Sequence, residues 1–259
     1  MRREFNKLFI VIPTLNEEKA IGGVLNRCHQ VARKIALPYE IIVVDGKSTD
    51  KTREIAEANG AKVIVQRDRG YGDALRLGFE YAASREKHGI IVMMDGDNTY
   101  LPEDMPRLIQ PILSDEADIV IGNRFANIRP GAMTLRNRVG NFILTKLANI
   151  LFGVSVPDSQ SGFRALTITS FRKVKLREKG MPFASEMLIK AKKAGLRTAW
   201  VPISYERRIG EPKLKPFRDG LRILYLYLRL FPRYGRKTAT IAALLLLASL
   251  TLLATGYLV

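Results

Sequence analysis

The sequence predicts an α/β fold on a mostly parallel sheet with helices on both faces. Three observations carry this. Short, β-rich apolar runs alternate with helical patterns through the first two-thirds of the 259 residues. The runs are apolar throughout, which marks strands buried on both faces. Several of them end in acidic, Gly-rich or basic junctions, and in such sheets ligands sit beyond the carboxyl ends of the strands.

Composition narrows the class. The chain is 47% hydrophobic, ample for a core, and carries a net charge of +17. That excess predicts an anionic partner: nucleic acid, a phosphorylated substrate or acidic lipid. Cys28 is the sole cysteine, so no intrachain disulfide forms and a reducing compartment is expected; it lies in a predicted helix as a packing residue. His29 and His88 are far apart in sequence, which argues against a His- or Cys-based metal site. Arg2 and Arg3 lead directly into a strand, without a signal-peptide pattern.

In chain order, the strand candidates are Leu8–Pro13, Glu40–Asp45, Ala61–Gln66, Gly89–Asp95, Asp118–Gly122 and Arg197–Ile203. Helical periodicity falls at about 17–36, 50–59, 72–87, 103–114, 136–152 and 183–194. At the first junction Pro13 ends the strand, Thr14 or Asn16 can cap a helix, and Glu17 follows in its first turn. At the second, Val43-Val44-Asp45-Gly46, a strand-end carboxylate can accept a hydrogen bond from a base or ribose, with Ser48 or Asp50 as the next cap. The third, Arg67-Asp68-Arg69-Gly70-Tyr71-Gly72-Asp73, suits a loop near a diphosphate but matches neither a P-loop nor a dinucleotide fingerprint. The fourth, Asp95-Gly96-Asp97, is the most informative. Two carboxylates so spaced at a strand end can share a divalent cation bridging a nucleotide's phosphates, and hard oxygen ligands suit Mg²⁺ or Mn²⁺. Further on, Asp158-Ser159-Gln160-Ser161-Gly162-Phe163-Arg164 reads either as a capped turn or as an Arg placed for bidentate phosphate recognition. Glu186 reads either as a first-turn residue or as a site residue.

Residues 207–237 hold ten Lys or Arg against two acidic residues. Between Pro216 and Pro232 a helical pattern places Phe217, Leu221, Leu224, Leu228 and Phe231 on one face and Arg218, Arg222 and Arg229 on another, as in a helix lying in a membrane interface. Residues 238–259 carry no charge. As a helix they would extend about 33 Å, enough to cross a bilayer core. A buried core helix is the alternative, and the lack of any polar face favours the span. Arg233, Arg236 and Lys237 precede it, which places the bulk of the chain in the cytoplasm as a single-pass membrane protein.

Together, Ile12-Pro13-Thr14-Leu15-Asn16-Glu17, Val43 to Asp50, Asp95-Gly96-Asp97, Gly122-Asn123-Arg124, Ser161-Gly162-Phe163-Arg164 and Gly210-Glu211-Pro212-Lys213-Leu214 resemble glycosyltransferase family 2. The nearest likeness is to its dolichol-phosphate mannose synthase group of polyprenyl-phosphate glycosyltransferases. The resemblance implies a glycosyltransferase A-type, Rossmann-like fold for the catalytic domain, placed over 1–214; the basic interfacial helix read above then takes 215–236 and the transmembrane helix 237–259. It implies nucleotide contacts from Pro13, Glu17, Asp45 and Asp95, and metal binding by Asp95 and Asp97. Asp97, Arg124, Arg164 and Arg208 carry catalytic or diphosphate roles, and Arg136, Arg138 and Lys213 an acceptor-phosphate role. Arg207 competes with Arg208, according to whether spacing is counted from Gly210 or from Tyr205. The chain departs from the mannose synthases at Gly46, where many relatives have a second Asp, at Thr99, and through Leu135–Asn141.

The expected reaction is inverting transfer of a sugar from a nucleotide donor, a UDP-sugar rather than GDP-mannose, to polyprenyl or dolichyl phosphate. Transfer to a hydroxyl is the alternative, and Asp158 is the carboxylate that could serve it as base. An inactive nucleotide-binding scaffold is a third reading, against which the retained Asp95 and Asp97 argue. A membrane-tethered nucleic-acid binder is a fourth. Basic residues concentrate beside the apolar tail and no nucleic-acid motif appears, so nucleic acid is not an expected partner.

Overall fold

The computed structural model describes residues 3–213, 215–236 and 239. Its strands are β1 (Lys7–Thr14), β2 (Tyr39–Asp45), β3 (Lys62–Val65), β4 (Gly89–Met93), β5 (Ile119–Ile128), β6 (Arg164–Thr167) and β7 (Thr198–Tyr205). They form one sheet in the order β3-β2-β1-β4-β6-β5-β7. β6 runs antiparallel to both its neighbours, and the remaining pairings are parallel. The helices are α1 (Ile21–Ala32), α2 (Thr52–Ala58), α3 (Tyr71–Arg85), α4 (Met105–Leu113), α5 (Leu135–Phe152), α6 (Ile168–Val174), α7 (Phe183–Lys193) and α8 (Pro216–Tyr234).

Strand alternation divides the core into two layers. Leu8, Ile10 and Ile12 of β1 face α1 and α4, where Ile21, Leu25, Cys28, Leu108 and Ile112 are buried. Phe9 and Val11 face Leu75 and Phe79 of α3, Phe183 and Met187 of α7, and the inner side of α8. The expected mostly parallel sheet, covered on both faces, is what forms.

Two elements were not predicted. β6 is only four residues long and begins with an arginine, and the turn-forming run before it dominates the sequence signal. α6, with seven residues, follows at once. β5 continues past Gly122, where a strand end was expected, with a register shift between Asn123 and Asn127. Gly122 is demanded by packing, since a Cβ there would stand 2.7 Å from the side chain of Ile203.

α8 forms where predicted, but its inner face differs. Ile223, Leu226, Tyr227 and Leu230 are buried, and Leu224, Leu228 and Phe231 pack around them against the same core. The expected lipid-facing stripe therefore contributes mostly to the protein interior. No helix among the described residues is long and apolar enough to cross a membrane. The predicted span over 237–259 lies, Ala239 apart, outside the described residues.

The docking of α8 is testable. Leu226→Ala should destabilise the chain by about 2–5 kcal/mol, the range for truncating a buried Leu, whereas exposed Tyr225→Ala should stay within about 0.5 kcal/mol. Chemical denaturation of both variants reads this, and equal small effects would detach α8 from the core.

Candidate active site

β1 pairs with β2 so that Thr14 stands opposite Asp45, and with β4 so that Val11 stands opposite Met93. The three parallel strands therefore deliver residues 13–18, 45–50 and 94–99 to one edge of the sheet. Pro13 sits there half-buried in β1, opposite Val44. Asp45 is fully buried, and its carboxylate accepts from Ser48 N and Oγ and from Thr14 Oγ1. Its work is to hold the 46–49 turn. Asn16 does not cap α1; its Oδ1 accepts from Thr49 N, and its own N donates to Ser48 Oγ, tying the first junction to the second.

Asp95 Oδ1 accepts from Tyr71 Oη at 2.9 Å. Asp97 Oδ1 accepts from Thr99 N and Oγ1, and Oδ2 accepts from Arg208 Nη1. Thr99, where the mannose synthase pattern differs, thus orients Asp97. Arg208 Nη2 donates to Glu17 Oε1, so one guanidinium spans two carboxylates. The segment after β7 runs across the edge like a strap. Glu206 N donates to Thr99 O, Ile209 N donates to Asp97 O, and Lys213 Nζ reaches Asn16 O at 3.3 Å. Of the two arginines, Arg208 reaches Asp97 and Glu17, whereas Arg207 donates to Pro130 O.

The other predicted basic residues divide. Arg124 is buried and donates through Nε and Nη2 to the two oxygens of fully buried Asp158, with its guanidinium 5.4 Å from the Tyr205 ring centre. Arg164 is also fully buried, and donates to the carbonyls of Ser159, Ser161 and Ala184. Burial pulls its pKa down to about 10. Both guanidinia hold the floor of the site, and Arg164 offers no exposed phosphate-binding surface. Arg136 and Arg138 stand exposed in the first turn of α5, with no hydrogen bond or ion pair to the Asp97–Arg208 cluster. Glu186 is structural: it accepts from Arg177 N and Glu178 N and pairs with Lys190.

At the third junction the glycines have a packing role. Gly70 has φ +125°, and a Cβ there would meet Lys179 O at 2.2 Å; at Gly72 it would meet Glu178 O at 2.5 Å. The glycines admit the chain's own 178–180 backbone. Sequence reasoning missed Tyr71, which this packing aims at Asp95. A recess of about 630 Å³ lined by Arg3, Asn6, His88 and Thr167 lies at the opposite, amino-terminal edge of β1 and β4 and contains none of the predicted site residues.

Electrostatics distinguish this edge. Burial raises the Glu17 carboxyl to about 7, with Arg208 opposing and Asp97 adding to the shift. Burial and then the neighbouring Asp97 raise Asp95 to about 7. Glu17 Oε2 is buried and has no hydrogen-bond partner. Hard carboxylate oxygens, one of them orphaned, fit Mg²⁺ or Mn²⁺. Among the described residues no group of three or more carboxylate, His or Cys side chains could hold a metal alone. Two protein carboxylates with phosphate oxygens and water completing the shell is the usual Mg²⁺ arrangement.

Carboxylates thus meet basic groups on a strap, beyond the carboxyl ends of a Rossmann-like sheet. The chain belongs to glycosyl transferase family 2, whose model matches residues 9–175. It is 38% identical over 229 residues to the low-salt glycan biosynthesis hexosyltransferase Agl6 of Haloferax volcanii, covering 88% of this chain but only 54% of that protein. It is 37% identical over 221 residues to the dolichyl-phosphate hexose transferase of the same organism, covering 85% and 91%. The fold is that of Mycobacterium tuberculosis glucosyl-3-phosphoglycerate synthase, solved with Mn²⁺ and UDP-glucose, at TM-score 0.67 and 21% identity over 88% of this chain and 79% of that one.

The raised carboxyls set a pH dependence. Their folded-state pKa of about 7 exceeds the ordinary 3.8 and 4.5. Their contribution to stability therefore falls as pH rises between those values and 7, where only the unfolded chain has ionised. A cation binds the ionised form. The rise in Tm caused by Mn²⁺ should be larger at pH 8 than at pH 6 by thermal scanning; an equal or larger rise at pH 6 would contradict the assignment.

Proposed function

We propose that the chain transfers one sugar, with inversion, from a nucleoside-diphosphate donor to a polyprenyl (dolichyl) phosphate at the cytoplasmic face of a membrane. The observation that carries this reading is how Asp158 is spent. A hydroxyl acceptor wants a carboxylate base, and Asp158 is buried and bound through both oxygens to Arg124. A phosphate monoester has its second pKa near ~6, so it is already anionic at neutral pH. The remaining tasks are positioning and charge stabilisation. The name of the dolichyl-phosphate hexose transferase, 37% identical, supports the acceptor class.

In this reading Pro13, Glu17 and the turn held by Asp45 form the nucleotide side. Asp95 and Asp97 face the diphosphate, and a Mg²⁺ or Mn²⁺ ion on them would neutralise the leaving nucleoside diphosphate. Arg208 and Lys213, on the strap, hold phosphate oxygens, and Arg136 and Arg138 draw the acceptor head group. Arg124 and Arg164 fix the floor from beneath. The departures at Gly46, Thr99 and 135–141 favour a UDP-sugar over GDP-mannose.

The membrane reading gains support from α5. Leu135, Val139, Phe142, Ile143 and Ile150 recur at helical spacing and are exposed, Leu135 by 76%. Lys146 lies in the same stripe with its ammonium 5.3 Å from the Phe142 ring centre. Apolar residues interleaved with cations suit an anionic lipid surface. Arg236 N donates to Leu151 O, which sets Arg236 beside the end of α5.

Two tests follow. Membranes containing the chain, a polyprenyl phosphate and Mn²⁺ should make a lipid-linked sugar from a UDP-sugar, and Asp97→Asn should lower turnover by on the order of 10²–10³-fold. Transfer from GDP-mannose alone would overturn the donor preference, and turnover by the variant within a few-fold of wild type would overturn the Asp97 role. In the chain lacking 238–259, Phe142→Glu with Ile143→Glu should cut flotation on anionic liposomes several-fold, and unchanged flotation would exclude α5 as the lipid-facing element.

A further inference from the structure

We infer that Arg208 is a built-in competitor for the cation site, which couples donor binding to metal binding by exchanging carboxylate partners for diphosphate oxygens. The inference rests on the reading that this edge takes a nucleoside diphosphate and a divalent cation.

The geometry leaves Asp97 no idle oxygen. Oδ1 accepts from Thr99 N at 2.9 Å and from Thr99 Oγ1 at 2.5 Å, and Oδ2 accepts from Arg208 Nη1 at 2.5 Å. A divalent ion on the same carboxylate must share an oxygen with a guanidinium, and like charges at that range repel. Asp97 therefore serves the cation fully only when Arg208 lets go.

Arg208 has a reason to do so once a diphosphate arrives. Its Nε is buried and has no partner, and Glu17 Oε2, on the carboxylate it holds, has none either. The present pairing thus leaves a donor and an acceptor unsatisfied, which costs stability. A diphosphate presents several anionic oxygens to a planar fork of donors, the match in which Arg surpasses Lys. The strap need not open. Glu206 N to Thr99 O and Ile209 N to Asp97 O pin its backbone on either side of Arg208. The side chain, 24% exposed, can turn outward alone. Donor and cation then favour each other: the donor draws Arg208 off Asp97, and the cation fills the place.

The test titrates Mn²⁺ into the 259-residue chain in detergent, following unbound Mn²⁺ by EPR, alone and with saturating UDP or GDP, with each nucleotide's own Mn²⁺ binding measured without protein and subtracted. Wild type, Arg208→Gln and Arg208→Lys are compared, with thermal unfolding as a check on folding. In wild type the nucleotide should tighten Mn²⁺ binding by roughly 5- to 150-fold, the usual span of coupled sites. Arg208→Gln should bind Mn²⁺ alone on the order of tenfold more tightly than wild type, and its coupling factor should fall by that same factor, to what direct contact between cation and diphosphate supplies. Arg208→Lys, whose compact ammonium cannot fork across two carboxylates, should fall between them. Mn²⁺ alone binding Arg208→Gln no more tightly than wild type would overturn the inference, as would an unchanged coupling factor. If wild type binds neither UDP nor GDP, the proposed function fails, while the Mn²⁺-alone comparison still decides whether Arg208 competes.

Discussion

Parallel pairing of β1 with β2 on one side and β4 on the other is the constraint on which the site depends. Because the strands point the same way, their carboxyl ends meet at one edge, and Glu17, Asp45, Asp95 and Asp97 converge although they span more than eighty residues of sequence. An antiparallel β4 would have sent Asp95 to the opposite edge. The antiparallel β6 sits beside β4 and starts where β4 ends, with Met93 opposite Arg164. The chain therefore returns beneath the carboxylates at that point, bringing Asp158 and Arg164 with it.

That return explains the buried arginines. Burying a guanidinium is costly unless its donors are satisfied. Arg164 meets three main-chain carbonyls and Arg124 meets both oxygens of Asp158. Together they pin the 158–164 turn under Asp95, where Gly162 N donates to Tyr100 Oη and Tyr71 Oη donates to Asp95. The floor is rigid and paired, whereas above it Arg208 and Lys213 lie on a segment outside regular secondary structure. Fixed charge below and less constrained charge above suit the proposed reaction, in which a diphosphate would bind and leave and a second phosphate would enter.

Much of this was legible in the sequence. Apolar runs marked six strands: β1, β2, β4 and β5 because most of their residues are buried, and the edge strands β3 and β7, only partly buried, because short β-rich runs are bounded by helical patterns. The acidic junctions marked the ends of β1, β2 and β4. β6 was not legible: four residues beginning with Arg164 look like the end of a turn. Whether an arginine serves a ligand or a carbonyl depends on tertiary surroundings, so Arg164 and Arg208 could not be told apart by spacing. The glycines at 70 and 72 recorded a close approach, but not that the approaching backbone was residues 178–180. α8 showed its amphipathic period correctly; which side meets protein depends on where α5 and α7 lie. α5 hid its exposed stripe because Leu144, Ala148 and Leu151 make its other face apolar as well.

If the proposed function holds, the carboxyl edge of β1, β2 and β4 binds a nucleoside diphosphate and its cation together. The most direct measurement is an anomalous difference map from crystals of the chain grown with Mn²⁺ and UDP. The account predicts one strong peak within about 2.0–2.6 Å, the range for hard cations on oxygen, of a carboxylate of Asp95 or Asp97, with the diphosphate on its far side. Mn²⁺ bound away from both residues, or UDP lying off this edge, would contradict it.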